Sequence, residues 1–124
     1  MNQINGKAWV DALRSGEYTQ GFGELQQVDR QTGKCSYCCL GVANELAVAA
    51  GVINPIEDKN DFVNYFGISR WLGVEKEDPE FQIGGETITA IILNDKLKYT
   101  FGQIADLIET QYLTPQPTNS DESN

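Results

Sequence analysis

Apolar positions recur at helical spacing near both ends of the chain and in its middle, and alternate with polar ones in one short stretch. In residues 5–16, Trp9, Val10 and Leu13 share one face, Asn5 stands where a cap belongs, and Gly16 stands where a left-handed stop belongs. That pattern predicts a short amphipathic helix. Gly21 and Gly23 then mark a loop whose backbone can approach a neighbour closely. Residues 24–29 alternate polar and apolar, and the turn-rich Arg30-Gln31-Thr32-Gly33 leads into residues 34–38, which predicts a two-stranded antiparallel hairpin. Residues 38–50 are almost wholly apolar, broken only by Asn44 and Glu45 and closed by Gly51. The run is too long for a strand and rich in Ala and Leu, so it predicts a central buried helix.

The second half is less regular. Pro55 bars a helix at Asn54. Residues 58–66 predict a short helix stopped at Gly67, followed by a compact apolar patch over 69–73. Between Val74 and Glu86 lie five acids, Pro79 and the Gly84-Gly85 pair, which read as a solvated loop. Residues 87–93 carry strand-favouring β-branched side chains, yet Ile88, Ile91 and Ile92 suit one helical face, and helix is the expectation. Thr100 and Gln103 form a capping box opening a helix to about Tyr112, with Phe101, Ile104, Ala105, Ile108 and Tyr112 as its buried stripe. Residues 113–124 hold two prolines and no aromatic, and are expected to be a disordered acidic tail. The fold class expected is α+β: a small single domain over residues 1–112, mostly helical, with one two-stranded antiparallel hairpin packed on a central buried helix.

Composition narrows the chemistry. Eighteen acids against nine bases give a net charge of −9 in 124 residues, and the bases are scattered, so general nucleic-acid binding is not expected. Histidine is absent, which removes His-assisted nucleophiles, His-ligated zinc and imidazole proton shuttles. Cys35, Cys38 and Cys39 are the only cysteines and do not form the spaced framework of a secreted mini-protein. A zinc site built on Cys35-x-x-Cys38 would need a carboxylate as its fourth ligand, since no Cys or His exists beyond these three, so no metal or cofactor is expected, and the thiols read as small buried apolar groups. The N-terminal residues lack a signal peptide's apolar region, and no apolar run is long enough to span a bilayer, so a cytoplasmic site and no membrane association are expected.

Several segments together carry a resemblance: Trp9-x-x-Ala12-Leu13-Arg14-Ser15-Gly16-x-Tyr18-x-Gln20-Gly21, Tyr37-Cys38-Cys39-Leu40-Gly41-Val42, Trp71-Leu72-Gly73, Leu93-Asn94-Asp95, and Phe101-x-x-Ile104-Ala105-Asp106-Leu107-Ile108-Glu109. They resemble a group of small proteins encoded in bacteriophage and prophage genomes and usually labelled as of unknown function. The resemblance covers most of residues 7–112 and implies a viral origin and action in the cytoplasm of an infected bacterium. It implies no catalytic residue.

Three features exceed what a core requires. Arg14, Tyr18, Gln20 and Gly21 gather a cation, an aromatic face and an amide around a glycine at a helix end, as a pocket for a small anionic or nucleotide-like molecule would. Asn94 and Asp95 precede the last helix and could meet a ribose hydroxyl or a cation. Arg70 and Trp71 are types that stack on bases or anchor interfaces. The function expected is an accessory binding protein, with counter-defence as its setting, that sequesters a nucleotide-like host molecule. The alternatives are an acidic inhibitor of a basic host protein and, behind it, a Cys- or carboxylate-dependent hydrolase. A homo-oligomer is a further expectation.

Overall fold

The computed structural model describes residues 1–55 and 61–114. Nine elements follow in order: α1 (Gln3–Arg14), β1 (Gln26–Val28), β2 (Cys35–Tyr37), α2 (Cys39–Ala49), α3 (Phe62–Leu72), β3 (Glu80–Ile83), β4 (Glu86–Thr89), α4 (Ala90–Asp95) and α5 (Phe101–Tyr112). The fold is α+β, with helices dominant and two separate antiparallel pairs, β1–β2 and β3–β4.

The cap of α1 is Asn2, whose side chain accepts from the Asn5 N–H at 2.9 Å, three residues before the expected cap. Asn5 is used elsewhere: its amide donates to the Trp71 carbonyl at 2.8 Å and ties α1 to the end of α3. The stripe Trp9, Val10 and Leu13 is buried, and α1 packs most extensively on α5. The α5 capping box forms as the sequence predicts, with both Thr100 and Gln103 bonds present. The central helix α2 is buried through its first turns. Gly41 allows this, because a Cβ there would lie 1.8 Å from the Leu25 carbonyl oxygen, so the segment leading into β1 crosses against bare backbone.

Three expectations are corrected. The helix expected to stop at Gly67 continues to Leu72 and ends at Gly73, which has φ +72. Gly67 serves packing instead: the space a Cβ would fill is taken by Ile53 Cγ1, 2.5 Å away. Residues 58–60 of that expected helix lie outside the described residues. The acidic segment 74–86 is not wholly loop. Gly84 and Gly85, both at positive φ, make the two-residue turn of a second hairpin with register Ile83↔Glu86, and Phe81 is fully buried, edge-on to Tyr112 at 5.4 Å. Finally, residues 87–93 divide: Thr87–Thr89 complete β4, and the Thr89 hydroxyl then accepts from Ile92 N–H to cap α4. Of the expected tail, Leu113 is half-buried against Gly6 and Thr114 N–H bonds Gln3 at 2.6 Å, while residues 115–124 lie outside the described residues. No helix among the described residues is long and apolar enough to cross a membrane.

Candidate functional site

Four of the residues singled out from sequence meet at one place. Asn94, fully buried on α4, uses every polar position it has. Its Nδ2 donates to the Gly21 carbonyl at 2.9 Å and to the Asp95 carboxylate at 2.8 Å. Its Oδ1 accepts from the Cys39 N–H at 3.2 Å and from Gln20 Nε2 at 2.9 Å. Gln20 Nε2 also reaches the Tyr99 carbonyl at 2.7 Å. Two amides, Asn94 and Gln20, therefore join the start of α2, the loop around Gly21 and both ends of the α4–α5 link. A side chain at Gly21 would crowd β2, since a Cβ would meet Ser36 Oγ at 2.6 Å. Its N–H bonds the Tyr37 carbonyl, and Tyr37 N–H bonds the Thr19 carbonyl, so the loop runs along the outer edge of β2.

This junction fixes a surface that the sequence did not single out. Phe22, Ile92 and Leu97 are exposed large apolar side chains beside it, and Leu97 N–H bonds the Ile92 carbonyl. Lys98 follows at φ +59, the one non-glycine positive φ among the described residues, and its Nζ stands 3.9 Å from the centre of the Phe22 ring. An ammonium over an aromatic face is attractive, and a left-handed lysine persists only where its surroundings over-determine it. The one signal available in sequence was a phenylalanine between two glycines, Gly21-Phe22-Gly23.

The other candidates are not gathered here. Arg14 points across the α1–α5 seam, with paired 3.0 Å bonds to Glu109 and a 2.5 Å bond to Asp106. These contacts raise its pKa further and hold the Glu109 carboxyl below its usual range. Tyr18 packs edge-on to Tyr37 at 5.5 Å, and burial raises both phenols, Tyr37 to about 12. Trp71 is buried, so its ring is not free to stack a base, whereas Arg70 is exposed and lies over Phe66 at 5.9 Å. Two clefts of about 360 Å³ open elsewhere, one beside Val28, Lys34 and Cys35 and one beside Met1, Pro79 and Tyr112. Neither is lined by Arg14, Gln20, Asn94 or Asp95.

The thiols nearest the junction are poorly placed for covalent chemistry. Cys38 is buried at the cap position of α2, and burial pushes its thiol up to about 11 despite bonds from the Gly41 and Leu40 N–H groups. Cys39, fully enclosed, is likewise raised well above its ordinary value by burial, and its Sγ lies 3.7 Å from the Ala90 carbonyl. Both are protonated near neutrality, the reverse of an activated nucleophile. Among the described residues no three acidic or thiol side chains are grouped to hold a metal ion.

Fold and site together define a small, mainly helical α+β domain built round a satisfied amide junction. The chain belongs to the family described as a domain of unknown function, DUF8296, whose sequence model matches residues 1–112. No curated protein and no solved structure matches it.

Proposed function

We propose that this is a non-catalytic binding protein that works by holding a host protein through the Phe22–Lys98 surface. One observation carries the reading: three exposed apolar side chains and a strained lysine stand on a junction whose polar groups are all bonded to one another. Exposed apolar patches on rigid support serve contact, and a raised-pKa thiol without an imidazole serves turnover badly. The net charge of −9 favours a partner of opposite sign by steering its approach, while the local contact is apolar. The resemblance to phage and prophage proteins supports a bacterial partner met in the host cytoplasm, with counter-defence as the setting.

A nucleotide-like ligand is the second reading. Lys98 and Phe22 are the groups a phosphate and a planar base would engage, although Arg14, the expected anion ligand, is held by α5. The test is capture from host lysate at low and high salt, followed by titration with the purified captured protein. Association should slow with salt, and Phe22→Ala with Leu97→Ala should weaken binding by about tenfold or more. Unchanged affinity in that double variant sinks the reading. Heat with one member of a nucleotide panel, lost in Lys98→Ala, would replace it with the second. Metabolite turnover by purified protein, abolished by one substitution, would overturn both.

A further inference from the structure

A second exposed surface lies on α3. Its outward positions are Phe62, Val63, Phe66 and Arg70, and the three apolar side chains are 70%, 60% and 49% exposed. At about 100° per residue these four occupy one stripe about 100° wide, opposite the buried Asn64, Ile68 and Trp71. A single apolar side chain at a surface is ordinary, but a contiguous stripe of this kind marks a contact. We propose that it is where two copies of this chain meet, α3 against α3, antiparallel about a two-fold axis at Phe66.

The stripe is complementary to itself in that arrangement. Phe62 and Arg70 stand four residues to either side of Phe66, so an antiparallel crossing sets Phe62 of one copy opposite Arg70 of the other. The Arg70 guanidinium already lies 5.9 Å from the centre of the Phe66 ring. The crossing offers it a second ring on its open side, and next to that ring the Asp61 carboxylate that caps the other copy's α3. Charge agrees. In a chain carrying −9, this stripe holds no acid, and its one charged side chain is the arginine. Two copies therefore approach here without setting carboxylates of the two stripes against each other. An 11-residue helix is only about 16 Å long, so the contact belongs with small interfaces under about 1,200 Å² and forms a weak dimer.

Sedimentation equilibrium of the whole protein from micromolar to millimolar concentration tests this. Wild type should pass from monomer to dimer over that range. Phe66→Glu and Phe66→Lys, at a half-exposed position that tolerates either side chain, should each raise the dissociation constant by about tenfold or more, because each sets like charges across the axis. An equimolar mixture of the two should recover a dimer. Arg70→Glu should weaken association by a smaller factor, with the far-ultraviolet circular dichroism of every variant unchanged. A wild type that stays monomeric throughout overturns the proposal and leaves the stripe to a different partner. So does a Phe66→Glu variant that dimerises as well as wild type, and so does a mixture that remains monomeric.

Discussion

Two buried amide clusters in this molecule face the same physical problem and meet it differently. At the junction, Asn94 donates twice and accepts twice, and its partners come from three separate segments. Between α2 and α3, Asn64 donates to Asn44 Oδ1 at 2.8 Å, but its own Oδ1 has no partner. Both sites are as buried as the apolar core around them. A buried polar group is neutral or favourable when paired and costly when orphaned. Asn94 is thus a fastening that the fold relies on, whereas the Asn44–Asn64 pair specifies how two helices meet at little net gain. The difference also bears on function, since the first cluster ties loops from distant segments under the Phe22–Lys98 surface, whereas the second joins two helices directly.

The contrast predicts unequal costs. Asn94→Ala strands the Cys39 N–H and the Gly21 carbonyl inside the protein and should cost about 3 kcal/mol or more, read by urea denaturation. It should also speed alkylation of Cys38 and Cys39, because the junction covers them. In the native wild type only the half-exposed Cys35 should label promptly, with all three labelling in urea. Prompt native labelling of Cys38 would break the picture of a closed junction.

Alkali probes the same place. The Cys38 thiol is held at about 11 in the fold against an ordinary 9.0, so its neutral form is favoured there. Such a group contributes fully below pH 9, and its contribution is lost as pH rises from 9 towards 11. The loss is roughly 2–3 kcal/mol for a shift of about two units. Unfolding free energy should therefore fall over that window, and Cys38→Ala should flatten the fall without abolishing it, since Cys39 is raised too. Tyr37 and Tyr65, both pushed up to about 12, extend the decline above pH 10. Gly21→Ala comes next, at about 1–2 kcal/mol, because its Cβ must displace Ser36. Ser36→Gly in the same chain should recover most of that loss, and failure to do so would place the strain elsewhere.

What could be read from the chain alone follows how local each signal is. The α5 capping box, the apolar run of α2 and the alternation around the first hairpin act within a few residues, and each was legible. The second hairpin was hidden because five acids over 74–86 outweighed the alternation of Phe81 and Ile83, although Gly84-Gly85 was in plain view. The extension of α3 past Gly67 depends on Ile53 filling the missing Cβ, which no spacing rule contains. At the candidate site, Gln20, Gly21, Asn94 and Asp95 drew notice as amides and acids beside a glycine and a helix start. That they bond one another across more than 70 residues was not readable, nor was the left-handed Lys98. Arg14 drew notice as a free cation, but its partners Asp106 and Glu109 lie one turn apart on α5, more than 90 residues away.

The smallest net effect is expected from a double variant at the α2–α3 amides, and it tests the comparison most sharply. Asn64→Leu alone should destabilise by about 1–3 kcal/mol, since it removes the donor to Asn44 Oδ1 and leaves that oxygen buried and unpaired. Adding Asn44→Leu removes the remaining buried acceptor together with the need to satisfy it. The orphaned Asn64 Oδ1 is already gone, so the double variant begins with one unpaid desolvation fewer than wild type. Its stability should return to within about 1 kcal/mol of wild type, a non-additivity that a double-mutant cycle measures directly. A full pair of losses, summing towards that of Asn94→Ala, would show that the second cluster is as much a fastening as the first. If instead the double variant matches wild type but its helices pack less uniquely, seen as broadened methyl resonances, the pair is kept for specifying the α2–α3 register.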